Sequence, residues 1–209
     1  VRNWYRANSG YTKEKKENPI LLGVENLTFG YTPEKTNLKD VSFSVREGEM
    51  VSIVGKNGAG KSTLAKLICG FEKPAAGRIC LSGRDISGDT IKERAQRIGY
   101  VMQNPNQMIS KPLIWDEVEM ALLAGNMSAE ERKERVEETL KICGLYPFRK
   151  WPVSALSYGQ KKRVTIAGIL VQRPRMIILD EPTAGQDYHH YTEIMEFLKE
   201  LNAQGFTIV

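Results

Sequence analysis

The stretch Gly55-Lys-Asn-Gly-Ala-Gly-Lys61-Ser62-Thr63 decides the fold of this 209-residue chain. It follows the apolar run Met50-Val-Ser-Ile-Val54, and Leu64, Leu67 and Ile68 continue after it with helical spacing. A strand, a glycine-rich loop and a helix N-terminus form the context that a phosphate-binding P-loop requires. Glycines let backbone N–H groups turn toward a polyphosphate without Cβ clashes. The sequence therefore predicts a strand over 50–54 followed by a nucleotide site.

The loop residues have separate predicted roles. Lys61 supplies a positive charge for the β- and γ-phosphates, and the Ser62 hydroxyl is placed to ligate Mg²⁺. A glycine-rich turn without any ligand is the alternative, which the complete match and its flanks disfavour. The predicted nucleotide-binding residues of this loop are Gly55, Asn57, Gly58, Ala59, Gly60, Lys61, Ser62 and Thr63.

An apolar run capped by two carboxylates supports the same chemistry. Arg175-Met-Ile-Ile-Leu-Asp180-Glu181-Pro182 is typical of a buried parallel strand that ends at its carboxyl edge. Ligands collect at that edge of an open α/β sheet, so Asp180 and Glu181 are expected to face the P-loop. Asp180 would hold Mg²⁺, and Glu181 would act as general base on the attacking water. Two acids at a solvated strand end are the alternative.

A third motif, Leu156-Ser157-Tyr158-Gly159-Gln160, opens a helical stretch between the first two. A serine and a glycine at a helix start can present a hydroxyl, a backbone N–H and the dipole to a phosphate. With these motifs the chain resembles the ATP-binding cassette (ABC) family, whose signature commonly reads Leu-Ser-Gly-Gly-Gln; here Tyr158 replaces the first glycine. In that family the signature contacts the γ-phosphate of ATP on the opposite subunit, which implies that Ser157, Gly159 and Gln160 bind nucleotide.

Further positions agree with the resemblance. Tyr31 lies where the family stacks an aromatic ring on adenine, although packing of the ring on the sheet is the alternative. Gln103 matches the Q-loop glutamine, which implies contacts to Mg²⁺ and to the attacking water. Asp187 matches the D-loop aspartate that crosses the dimer interface, although the local sequence departs from the commoner Ser-Ala-Leu-Asp. His189 and His190 come too early for the family's histidine and are expected at the surface or an interface.

The resemblance extends from about Leu21 to Val209 and implies an α/β P-loop NTPase of ABC ATPase architecture. A mixed sheet core with an antiparallel edge is expected, together with a helical subdomain over about 104–172, where Ser128 and Glu131 predict a capping box. Residues 20–209 are interpreted as the ABC ATPase domain and residues 1–19 as a linker or tail. Further strands are predicted near 21–29, 41–46, 78–82 and 98–102.

The chain begins at Val1 and stops at Gly205-Phe-Thr-Ile-Val209, inside a predicted strand. In the ABC family a histidine that contacts the γ-phosphate follows that strand, so it is expected beyond Val209. The 209 residues are expected to be a piece of a longer polypeptide, truncated before this switch histidine. On their own they are expected to bind ATP with weak or no hydrolysis.

Composition excludes several other classes. The 30 basic and 25 acidic residues give a net charge of +5, but they are interspersed, so no nucleic-acid partner is predicted. No apolar run approaches the ~18 residues that cross a bilayer. The three cysteines, Cys69, Cys80 and Cys143, lack metal-ligand spacing and suit a reducing cytosol, and Cys69 is expected to be a small core residue.

The resemblance implies a function for the whole assembly. Gln103-Asn-Pro-Asn-Gln-Met108 and Thr183-Ala-Gly-Gln-Asp187 look like segments of energy-coupling-factor ATPases, which drive importers of vitamins or metal ions. ATP, Mg²⁺, a second ABC ATPase domain, a transmembrane coupling subunit docked near residues 104–125 and a membrane substrate-binding subunit are the implied cofactors and partners. The implied location is the cytoplasmic face of the membrane. A soluble tandem-cassette ATPase acting on ribosomes is the alternative, and a DNA-repair clamp is disfavoured by the compact helical insertion.

Overall fold

The computed structural model describes residues 18–32, 34–184 and 187–209, apart from the side chain of His189. Most of the predicted N-terminal linker, and Gly185 and Gln186 of the D-loop, lie outside these residues. The strands are β1 (Ile20–Phe29), β2 (Leu38–Arg46), β3 (Ala76–Leu81), β4 (Arg84–Asp85), β5 (Ile98–Val101), β6 (Met176–Leu179) and β7 (Thr207–Ile208). The helices are α1 (Lys61–Cys69), α2 (Ile91–Ala95), α3 (Ile114–Met120), α4 (Ala129–Ile142), α5 (Tyr158–Leu170) and α6 (Tyr188–Ala203).

The strands form two sheets of opposite character. The first sheet is antiparallel, in the order β2-β1-β3-β4, and the second is parallel, in the order β5-β6-β7. Helices connect the parallel strands, as a parallel sheet requires. The predicted α/β architecture with an antiparallel edge is therefore confirmed.

Strand β6 lies between the two apolar clusters that form the core. All four of its residues are buried, and its side chains alternate between two apolar clusters. Met176 and Ile178 pack with α1 and the antiparallel sheet, whereas Ile177 and Leu179 pack with α5 and α6. A strand buried on both faces reads as a continuous apolar run, which is the pattern that the sequence shows here.

The strand predicted over residues 50–54 is wrong for most of its length. Met50 forms a single parallel bridge with Ile208, and the Val51 N–H donates to the Ile208 carbonyl at 2.8 Å. Residues 51–56 have no regular structure, and the Val54 side chain is 89% exposed. The apolar run predicts a strand, but β7 offers only two residues as a pairing partner, so the ladder ends after one bridge.

The helical region follows local capping rules. The Ser128 hydroxyl accepts from the Glu131 N–H at 3.2 Å, and the Glu131 carboxylate accepts from the Ser128 N–H at 2.9 Å. This reciprocal pair confirms the predicted capping box and begins α4 at Ala129. Hydrogen bonds from the Ser128 backbone N–H and from the Ser128 side chain to the carboxylate hold the pKa of the Glu131 carboxyl below its usual range. No helix in the described part of the chain is long and apolar enough to cross a membrane.

A buried arginine closes the C-terminal end of α1. The Arg94 guanidinium, only 3% exposed, donates to the carbonyls of Leu67 and Ile68 at 2.9 and 3.0 Å. These carbonyls belong to the last turn of the helix, where orphan acceptors and the negative end of the dipole favour a cation. Cys69 in the same turn is buried, as expected, and burial raises the pKa of its thiol to about 12.

Replacing Arg94 by methionine tests this closure. Arg94→Met keeps the apolar stem but leaves the Ile68 carbonyl without its donor, so we expect a loss of about 2 kcal/mol of unfolding free energy. Urea denaturation measures the loss. As a control, Arg78→Met removes an exposed ion pair with Glu25 and should change stability by no more than ~0.5 kcal/mol. Equal stability of the two variants would contradict the capping role of Arg94.

Candidate nucleotide-binding site

The P-loop leads into a helix whose first turn is open to an anion. Gly60 is the residue before α1 and has φ 94°, a left-handed conformation that a side chain would strain. A Cβ at Gly60 would also lie 2.7 Å from Leu38 Cδ2. None of the described side chains caps α1 at Gly60, so its first N–H groups could meet a phosphate together with the positive end of the helix dipole. The loop residues from Gly55 to Ala59 are exposed.

Lys61 is the first residue of α1, and its side chain folds back onto the P-loop. Its Nζ donates to the carbonyl oxygens of Gly55 and Lys56 at 3.1 and 3.3 Å. The same ammonium lies 3.4 Å from Glu181 Oε1. Lys61 is therefore held by acceptors from the P-loop and from the end of β6, where an anionic ligand could replace the carboxylate as its partner.

Ser62 and Asp180 meet although 118 positions separate them in sequence. The Ser62 hydroxyl donates to Asp180 Oδ1 at 2.9 Å, and the Tyr100 hydroxyl donates to Asp180 Oδ2 at 2.9 Å. Burial and the neighbouring carboxylate raise the pKa of the Tyr100 hydroxyl well above its usual value, so it stays a donor at neutral pH. Both oxygens of the carboxylate are thus oriented by a hydroxyl.

Glu181 adopts an uncommon backbone conformation. Its φ is 43°, in the left-handed region that costs a residue other than glycine about 1 kcal/mol or more. The side chain is 35% exposed and reaches Lys61. Strained residues are concentrated at functional sites, which fits the predicted role of this carboxylate.

The predicted adenine-stacking residue lies beside the same helix. The Tyr31 hydroxyl is 3.5 Å from Thr63 Oγ1, and its ring meets Phe29 edge-on at 4.9 Å. The ring is 52% exposed, so one face is free to receive a planar group.

The other predicted residues lie outside the cluster of Lys61, Ser62, Asp180 and Glu181. Ser157 caps α5, and its hydroxyl accepts from the Gln160 N–H at 3.3 Å; Gly159 lies between them in the first turn. Gln103 lies just after β5, and its backbone carbonyl accepts hydrogen bonds from Tyr158 and Lys162.

Asp187 caps α6 as its Oδ1 accepts from the His190 N–H at 3.0 Å. The His190 ring nitrogen Nδ1 lies 2.9 Å from the same carboxylate oxygen. The imidazole is thus engaged at a helix start, which fits the expectation of a surface or interface residue.

The donor set fits Mg²⁺ bound with a nucleotide. A serine hydroxyl and an aspartate carboxylate are hard oxygen ligands, and they lie together at the mouth of the P-loop. No group of three or more His, Cys, Asp or Glu side chains in the described ranges could hold a metal ion without other help. Mg²⁺ is usually held by one or two protein ligands, substrate phosphates and water, and Ser62 and Asp180 would supply the two protein ligands.

A cavity of about 320 Å³ opens next to this cluster, between the P-loop segment, β6 and α6. Its lining includes the charged residues Lys61, Asp180 and Glu181 and apolar side chains such as Ile178 and Ile208.

Sequence reasoning missed two residues. Tyr100 orients Asp180, and Lys162 contacts the segment after β5. Tyr100 lies on the strand that leads to Gln103, and β5 pairs with β6 so that Tyr100 is beside Ile178. Its position three residues before Gln103 was the available signal, since adjacent parallel strands bring their carboxyl ends together.

Comparison with known proteins agrees with this geometry. Residues 38–184 match the sequence family described as ABC transporter. An ABC transporter ATP-binding protein of Clostridium perfringens is 56% identical over all 209 residues, and one of Enterococcus faecalis is 60% identical over 191 residues, 90% of the chain. The chain spans only 37% and 34% of the lengths of these relatives.

Solved structures show the same fold. CbiO1 from Clostridium perfringens, part of the ABC transporter complex CbiONQ, has a TM-score of 0.87 at 36% identity, over 91% of this chain and 77% of CbiO1. MJ1267 in its ADP conformation, an ATP-binding cassette of an ABC transporter, has a TM-score of 0.79 at 28% identity, over 90% of this chain and 79% of its own. The family match over most of the chain and these likenesses agree with the P-loop cluster: the chain belongs to the ABC transporter family of ATP-binding proteins.

Proposed function

We propose that the chain binds MgATP at the cluster of Lys61, Ser62, Asp180 and Glu181, and that within the full-length protein it hydrolyses ATP there, as the motor domain of a membrane importer. The observation that carries the proposal is the meeting of the P-loop with the end of β6, where Ser62 contacts Asp180 and Lys61 contacts Glu181. A hydroxyl, a cation and two carboxylates at the start of an uncapped helix form the set that phosphoryl transfer from ATP requires.

Nucleotide binding is assigned to the P-loop side of the cluster. The N–H groups of α1 and the Lys61 ammonium would hold the phosphates, and the exposed ring of Tyr31 would stack on adenine. Ser62, Asp180 and Gln103 would hold Mg²⁺, which supplies charge neutralisation of the β- and γ-phosphate oxygens when bound.

Hydrolysis is assigned to Glu181. Once the phosphates draw the Lys61 ammonium toward them, the carboxylate is released from its 3.4 Å ion pair. It can then accept a proton from a water molecule aligned with the γ-phosphate, with Gln103 orienting that water. The Glu181 backbone, with φ 43°, has the kind of strained conformation that is often found at catalytic residues.

We assign the signature residues to binding the nucleotide of a second ABC domain. Ser157 and Gln160 hydrogen-bond to each other at the start of α5, with Gly159 between them. These three residues would close on ATP held by a partner, and Asp187 would cross the interface. ATP between two such domains makes a two-state clamp whose closed form is favoured by the γ-phosphate.

The importer class is supported by the likeness to CbiO1, part of the ABC transporter complex CbiONQ. We assign the chain to an energy-coupling-factor importer of a vitamin or metal ion, at the cytoplasmic face of the membrane. Its partners would be a transmembrane coupling subunit docked near residues 104–125 and a membrane substrate-binding subunit. We place the ABC ATPase domain at residues 20–209, with a helical subdomain over about 104–172.

Removing the P-loop cation tests binding. Lys61→Ala deletes a charge-assisted contact to phosphate, and we expect the Kd for MgATP to rise about 10- to 100-fold. Isothermal titration calorimetry measures it. Lys66→Ala removes an exposed lysine from the same helix and should leave the Kd unchanged. Equal affinities for both variants would refute the assignment of Lys61.

Replacing the proposed base tests hydrolysis separately from binding. Glu181→Gln preserves the side-chain length but cannot take a proton, so we expect kcat to fall ~100-fold or more with the Kd for MgATP little changed. Phosphate release from the full-length protein gives kcat, and size-exclusion chromatography with ATP should show a persistent dimer. Glu130→Gln, at an exposed position of α4, is the control. A Glu181→Gln variant with wild-type turnover would exclude this residue as the base.

Isolation of the native complex tests the importer proposal. The full-length protein is purified from its own membranes in mild detergent, and the copurifying proteins are identified by mass spectrometry. We expect a multi-spanning coupling protein with a small membrane-embedded binding protein. Recovery of ribosomes without a membrane protein would overturn the transport assignment while leaving the ATPase site intact.

A further inference from the structure

Lys162 is a buried lysine on the signature helix. It is 1% exposed, and it is among the largest fully buried side chains in the described part of the chain. Burying an ammonium is costly unless it is paired, and an apolar side chain would fill the same space at lower cost. The position therefore calls for an explanation beyond packing.

Two backbone carbonyls receive this ammonium. Lys162 Nζ donates to the Met102 carbonyl at 3.1 Å and to the Gln103 carbonyl at 2.5 Å. Both carbonyls lie just after β5, at the start of the segment that carries the Q-loop glutamine. Asp180 adds a favourable charge interaction, but burial dominates and lowers the pKa of Lys162 to about 8. Lys162 thus links α5 to the carboxyl edge of the parallel sheet.

Tyr158 reaches the same place from one turn earlier. Its hydroxyl donates to the Gln103 carbonyl at 3.3 Å, so this oxygen accepts from two side chains of α5. Residues four apart share a helix face, which is how both side chains reach one acceptor. Tyr158 is also the position at which the signature departs from the usual glycine. A glycine there would have no hydroxyl to offer, so the departure creates the second contact.

We propose that Lys162 and Tyr158 are positioning residues that fasten the signature helix to the backbone of Gln103. Movement of the signature onto a partner's nucleotide would then move the glutamine of this chain's own site. This inference rests on the proposed function, because it assumes that two domains close around ATP. This attachment would couple the signature, which faces the partner's nucleotide, mechanically to the nucleotide site of its own domain.

Kinetic constants of the full-length protein test the link. Lys162→Met removes both charged hydrogen bonds, and we expect kcat to fall about tenfold while KM for ATP changes less than about twofold, since nucleotide contacts remain. Lys162→Arg should restore most of kcat because it keeps a buried cationic donor. Tyr158→Phe loses one neutral hydrogen bond and should lower kcat about two- to fivefold. The double variant Tyr158→Phe/Lys162→Met should lose less than the product of the single effects, since both act on one carbonyl.

Lys161→Met is the matched control, since its position is about 100° away around the helix. It should leave kcat and KM unchanged. Thermal denaturation separates positioning from stability: Lys162→Met should melt close to the wild type, because methionine fills the same buried space without the cost of burying a charge. Wild-type kcat in Lys162→Met, an equal loss in Lys161→Met, or a loss that Arg fails to restore would overturn the proposal.

Amide hydrogen exchange gives a readout that needs no catalysis. Exchange over residues 101–109 should be faster in Lys162→Met than in the wild type or Lys161→Met, because the segment loses its attachment to α5. Unchanged exchange would overturn the proposal. A wild-type protein without ATPase activity would instead overturn the proposed function, while the exchange result would still decide whether Lys162 holds this segment.

Discussion

The site depends on where β6 ends. This strand is buried on both faces, so its course is set by apolar packing against α1 on one side and α5 and α6 on the other. The first polar residues after it, Asp180 and Glu181, must therefore emerge at the carboxyl edge of the sheet. There they meet Ser62 and Lys61 from the start of α1, which packs on the same strand. Burial of four apolar residues thus sets the position of two charged ones.

The ends of α1 are treated in opposite ways. Arg94 satisfies the carbonyls of its last turn, whereas no side chain caps its first turn. Positive charge at the C-terminal end stabilises the helix dipole within the protein. The N-terminal end has no side-chain cap at Gly60, which leaves it open to the phosphate oxygens of the proposed nucleotide. The asymmetry explains how a helix of nine residues can be stable and still present a binding site.

Local patterns predicted much of this arrangement, and long-range contacts explain the rest. The run before Asp180 predicted β6, and Ser128 with Glu131 predicted the start of α4, because each signal depends on nearby residues. The strand over 50–54 failed since a strand also needs a partner, and β7 supplies only two residues. Tyr100 and Lys162 gave little signal, because their hydrogen-bond partners are distant in sequence. The partners of Lys162 are also backbone carbonyls, which every residue has and which therefore cannot be identified from the sequence.

The left-handed backbone of Glu181 lowers the stability of the fold at a residue whose side chain is the proposed catalytic base. Glycine there would relax the backbone and stabilise the fold by up to ~1 kcal/mol, but it would remove the carboxylate that faces Lys61. Selection for heat resistance alone would therefore favour loss of this carboxylate. Laboratory evolution of this domain toward stability therefore needs an activity screen in every round.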